Sequence, residues 1–133
     1  MRIGDTWYRT IWPAKGGRVV EIIDQTLLPH VFEIRQLRSV ENAAEAIQNM
    51  RVRGAPLIGA TAAYGLALAL REDSSDASFE ASREILAATR PTAVNLRWAL
   101  DEMAREVVPH PASERAAAAW ACAARICDDD VDI

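Results

Sequence analysis

Two arginines stand close ahead of prolines that can open helices: Arg53 begins Arg53-Gly54-Ala55-Pro56, and Arg90 begins Arg90-Pro91-Thr92. A guanidinium presents a planar fork of N–H donors that matches the oxygens of a phosphate or carboxylate. Proline suits the first helical position, where its missing N–H is no loss. The early amides of such a helix lack intrahelical acceptors, and the positive end of the helix dipole adds to their pull on an anion. Arg53, Gly54 and Ala55 at one junction and Arg90 at the other therefore form a candidate phosphate cradle, on condition that the two helix starts converge. The plainer alternative makes Arg90 a solvated loop residue and Arg53 a surface ion-pair partner. Arg51, two residues from Arg53, is expected to point elsewhere, into solvent.

Other chemistry-bearing residues are sparse. Cys122 and Cys127, the two cysteines, lie five apart on an expected helix. That spacing puts them on opposite faces, so neither a disulfide nor a chelating pair is expected, and both read as small, semi-buried apolar side chains. His30 and His110 each adjoin a proline and have no cysteine or carboxylate at ligand spacing, so no metal site is expected.

The 133 residues, half of them hydrophobic and 26% charged, fit one globular domain. A net charge of −4 gives no electrostatic case for nucleic acid or an anionic membrane. The first twelve residues, MRIGDTWYRTIW, lack the apolar stretch of a signal peptide, and Leu57–Leu70 is too short to span a bilayer. A cytoplasmic protein is the expectation.

The elements that must carry the arginines follow from periodicity. Tyr8–Trp12, Arg18–Asp24 and Val31–Leu37 read as three strands, with a turn at Ala14–Gly17, forming a small antiparallel meander over residues 1–38. Val20 and Ile22 share one face of the second strand and Val19 and Ile23 the other, so both faces are expected to be covered. From Ser39, an expected N-cap, the spacing becomes helical and predicts about five helices over residues 39–133. The first carries Val40, Ala43, Ala44, Ile47 and Met50 on one face. The second runs from Pro56 to about Arg71, is apolar all round, and should be the central buried element. Its Gly59 and Gly65 point to close packing against a neighbour. Glu72–Ser78 reads as a polar loop. A third helix follows with Phe79, Ser82, Ile85 and Leu86 inward, ending near Thr89. A fourth ends near Val108 with Ala93, Leu96, Ala99, Leu100, Met103 and Val107 as its stripe. The last is capped by Ser113 and carries Ala117, Trp120, Ala121 and Ala124. Asp128-Asp129-Asp130 puts negative charge where a helix C-terminus disfavours it, so this helix is expected to continue beyond the sequence. The fold class is α+β.

The stretch VRGAPLIGATAAYGLALAL (Val52–Leu70) resembles the signature helix of the methylthioribose-1-phosphate isomerases. Tyr8-Arg9-Thr10-Ile11-Trp12, Ile23–Pro29 (IDQTLLP) and Arg90–Leu96 (RPTAVNL) resemble the same family in the same order. The wider family includes the regulatory subunits of the exchange factor for eukaryotic initiation factor two, and the TIW and IDQT elements fit the isomerase branch better. The resemblance implies an aldose–ketose isomerisation of 5-methylthioribose 1-phosphate to 5-methylthioribulose 1-phosphate in methionine salvage. It also implies no metal or organic cofactor, a homodimer when full length, and sugar-phosphate contacts from Arg53, Gly54, Ala55 and Arg90. Trp7, Trp12 and Tyr64 could line a pocket for the methylthio group, although aromatics are more often core.

Family members are more than twice this length, with a Rossmann-like domain after the helical region that carries the catalytic cysteine and aspartate. Neither motif occurs here, and Cys122, Cys127 and Asp128–Asp130 do not take those roles. The expectation is a substrate-binding part with no catalytic residue of its own, inactive alone. The alternatives are an isomerase of another pentose or deoxypentose 1-phosphate, or a non-catalytic regulatory module that binds a phosphosugar.

Overall fold

The computed structural model describes residues 2–3, 6–7, 11–13, 19–23, 34–49, 55–90 and 93–131. Strands β1 (Arg2–Ile3) and β2 (Thr6–Trp7) form a two-residue antiparallel pair, too short to leave a periodic signal in the sequence. Strands β3 (Ile11–Pro13), β4 (Val20–Ile23) and β5 (Ile34–Leu37) form the expected antiparallel meander in the order β3-β4-β5. Ile11 pairs with Ile22, and Val20 with Leu37, and all four side chains are buried on the face that joins the core. Glu21 faces the other way, beside Gln36, as the period of two requires. The expected turn at Ala14–Gly17 lies outside the described residues.

Among the described residues five helices follow: α1 (Val40–Gln48), α2 (Ala55–Glu72), α3 (Asp76–Ala87), α4 (Val94–Val107) and α5 (Ala112–Val131). Ser39 caps α1 as expected, its hydroxyl accepting the amide of Asn42, while Asn42 Oδ1 accepts the amide of Arg38. Helix α2 packs against the four other helices and β3. Every side chain from Leu57 to Leu68 is buried, glycines aside, and the Thr61 hydroxyl among them donates to the Leu57 carbonyl at 2.7 Å. Both α2 glycines sit at close approaches. A Cβ on Gly65 would lie 2.8 Å from Ala43 Cβ of α1, with Leu86 of α3 at 3.5 Å. A Cβ on Gly59 would lie 3.2 Å from the Asn95 carbonyl oxygen of α4.

Four boundary or facing expectations are corrected. Helix α2 opens at Ala55, not Pro56; the proline still falls among the first amides that have no acceptor to lose. Helix α3 opens at Asp76, because Ser75 caps it by accepting the Ser78 amide, so the polar loop is shorter than Glu72–Ser78. Ile85 is exposed while Phe79, Ser82 and Leu86 are buried, since Ile85 stands a hundred degrees round the helix from Leu86. Helix α5 opens at Ala112, ahead of Ser113, directly after a turn in which the His110 amide donates to the Val107 carbonyl. No helix among the described residues is long and apolar enough to cross a membrane.

Candidate functional site

Of the cradle residues, Arg53 and Gly54 lie outside the described residues, Ala55 is the first residue of α2, and Arg90 follows α3. What can be read directly is how the elements around them meet. Gly59, one turn into α2, lies against the Asn95 carbonyl at the second residue of α4. The absence of a side chain at Gly59 is what allows this approach, and it sets the starts of α2 and α4 within about a turn of one another.

Arg90 is half-buried, which sets aside its reading as a freely solvated loop residue. Its Nε donates to the Ile47 carbonyl in the last turn of α1 at 3.4 Å. That carbonyl is an acceptor at the negative end of a helix, a favourable seat for a cation, and the segment after α1 is the one that leads through Arg53 to α2. The Ala93 amide donates to the Arg90 carbonyl at 3.0 Å, holding Arg90 one turn from the start of α4. Beyond Nε, a guanidinium has two terminal NH₂ groups with which to meet a ligand. The N-cap of α4 is Ala93, which offers no side-chain acceptor to the first-turn amides, in contrast to the serine caps of α1 and α3.

Cys122 is buried against the apolar interior, and burial pushes its thiol above the ordinary range, only partly opposed by Arg125, whose Nη2 lies 3.7 Å from the sulfur. A thiol held protonated in this way is a poor nucleophile. The Cys127 side chain lies outside the described residues, as does His30. His110 is exposed in the α4–α5 turn, with Nδ1 3.9 Å from the Glu114 carboxylate. Tyr64 takes the core role that aromatics more often have: it is 1% exposed and packs edge-on against Trp120, ring centroids 5.3 Å apart. The side chains of Trp7 and Trp12 lie outside the described residues.

Glu102 was not anticipated. It is buried in α4 and pairs with Arg105 one turn on, with Arg125 of α5 at 3.9 Å. An i,i+3 acid–arginine pair flanking an apolar stripe was the available signal, but the same pattern is common on solvated helix faces. Asp73, before α3, accepts the Ser75 amide at 3.0 Å, and this bond holds its carboxyl below the usual range.

The family model described as the Initiation factor 2 subunit family matches residues 51–128. A methylthioribose-1-phosphate isomerase of Paramagnetospirillum magneticum is 62% identical over 130 residues, covering 98% of this chain and 36% of that protein. The crystal structure of 5-methylthioribose 1-phosphate isomerase from Pyrococcus horikoshii superposes with a TM-score of 0.85 at 41% identity, over 93% of this chain and 37% of that one. The translation initiation factor eIF-2B subunit delta from A. fulgidus superposes with a TM-score of 0.75 at 33% identity, over 93% of this chain and 36% of that one. The chain thus spans about a third of the length of such relatives.

Proposed function

The chain belongs to the Initiation factor 2 subunit family, and on that premise we propose that it forms the substrate-phosphate-binding part of an aldose–ketose isomerase acting on 5-methylthioribose 1-phosphate. Arg53, Gly54, Ala55 and Arg90 are the residues that receive the phosphorylated sugar. The meeting of Gly59 with the Asn95 carbonyl carries this reading, because a shared anion needs the starts of α2 and α4 to be neighbours. The tie from Arg90 to the end of α1 supports it further. Identity of 62% to an isomerase, against 33% to the translation-factor subunit, favours the enzymatic branch.

In this arrangement the first-turn amides and the two guanidiniums fix the phosphate and leave the sugar to project from it. The cradle supplies binding and orientation. Moving a proton between adjacent sugar carbons needs a positioned acid–base pair, and no residue of this chain is assigned that task. The full-length protein is expected to be a homodimer.

The test is a titration of the chain with 5-methylthioribose 1-phosphate, followed by the phosphorus resonance and the backbone amides. Arg53→Ala and Arg90→Ala should each weaken binding by about ten- to a hundredfold, the loss of a charged hydrogen-bond partner. Effects smaller than about threefold at both positions would leave the arginines as loop residues and end the reading.

A further inference from the structure

Two large apolar side chains stand exposed on one face of α4, immediately beyond the arginine junction. Val94, the first residue of the helix, is 76% exposed, and Trp98, four residues on, is 44% exposed. Residues four apart share a helix face, about 6 Å apart along its axis. The opposite face of the same helix, through Leu96, Ala99, Leu100, Met103 and Val107, is fully packed, so the exposure of Val94 and Trp98 does not come from a loose helix. Side by side, an indole and a valine offer an apolar contact surface that a ligand of matching polarity can use.

The position of this strip suggests what covers it. The Ala93 amide holds Arg90 one turn from Val94, so the apolar strip begins where the candidate phosphate contacts end. A 5-methylthiopentose 1-phosphate has the same polarity: an anion on its first carbon and an apolar thioether on its fifth. We infer that Val94 and Trp98 receive the methylthio end of the sugar phosphate and so set the preference for a 5-methylthio over a 5-hydroxyl sugar, an inference that rests on the function proposed above. The indole face offers a polarizable thioether a contact that a hydroxyl does not match, and an unpaired hydroxyl set against it would lose water without a partner.

The experiment titrates the chain with two probes, 5-methylthioribose 1-phosphate and ribose 1-phosphate, while following the indole N–H resonances and the amides near Arg90. The methylthio compound should bind about three- to tenfold more tightly, the range of a thioether–aromatic contact, and it alone should shift the Trp98 indole. Trp98→Ala should bring the ratio of the two affinities towards one, and Trp98→Phe should retain most of it. Binding of both sugars near Arg90 with a ratio that survives Trp98→Ala overturns the inference and leaves the proposed function standing. Binding of neither sugar overturns both. A change of sedimentation on Trp98→Ala, with the ratio intact, would make the strip a contact between copies and likewise overturn the inference.

Discussion

Gly65 has two neighbours pressing on it, Ala43 from α1 and Leu86 from α3, and its missing side chain is what lets α1 lie so close to α2. A methyl at this position would stand 2.8 Å from the Ala43 methyl, well inside contact distance. Overpacking of this kind costs about 1–3 kcal/mol, offset by about 1 kcal/mol of improved helix propensity. Gly65→Ala should therefore destabilise by up to about 2 kcal/mol, read as a lower urea midpoint at unchanged slope. Adding Ala43→Gly reopens the space and should recover part of that loss. If the double variant is no better than the sum of the two single changes, the clash is not the cause.

Between elements, Arg115 joins segments distant in sequence. Its side chain is 12% exposed, and its Nε, Nη1 and Nη2 donate to the carbonyls of His110, Ser74 and Val108 at 3.0, 3.1 and 2.9 Å, with the Asp76 carboxylate beside it. One guanidinium thus ties the α4–α5 turn to the α2–α3 connection, a pattern that suits its rigid fork of donors. Arg115→Ala should lower stability by about 1–2 kcal/mol, through the loss of hydrogen bonds from a charged donor to three carbonyls. Arg115→Lys should recover little of this, because a point charge cannot reach three divergent acceptors. Equal urea midpoints for the lysine variant and the unaltered chain would reduce the clamp to its charge.

For the molecule as a whole, α2 is the hub, and the domain should lose its structure together when α2 is undermined. Leu66 is fully buried within it. Leu66→Ala should cost about 2–5 kcal/mol, a large fraction of the 5–15 kcal/mol typical of a domain. Hydrogen exchange should show protection falling together in α1, α4 and α5. Loss confined to α2 would contradict its central role.

The sequence alone was enough to identify α2 as the hub, because a helix apolar on every side can be stable only when surrounded. It was also enough to place the meander, through short β-rich apolar runs separated by a turn, and the Ser39 cap, through the preference of a hydroxyl for an unsatisfied amide. Both arginine junctions were legible as candidate anion sites for the same local reason: residue type and proline position suggest a helix start. What local pattern could not supply was which surfaces meet. Ile85 reads as apolar yet lies exposed, and Glu102 reads as polar yet lies buried, because the helix crossing decides how far round the stripe that period defines is covered. Tyr64 could have lined a pocket until Trp120, 56 residues further along the chain, was seen packed on it. The acceptor for Arg90 is a backbone carbonyl 43 residues away, and a carbonyl carries no mark in the sequence. Such pairings belong to the tertiary structure, since they depend on the path of the chain between the partners and not on the residues themselves.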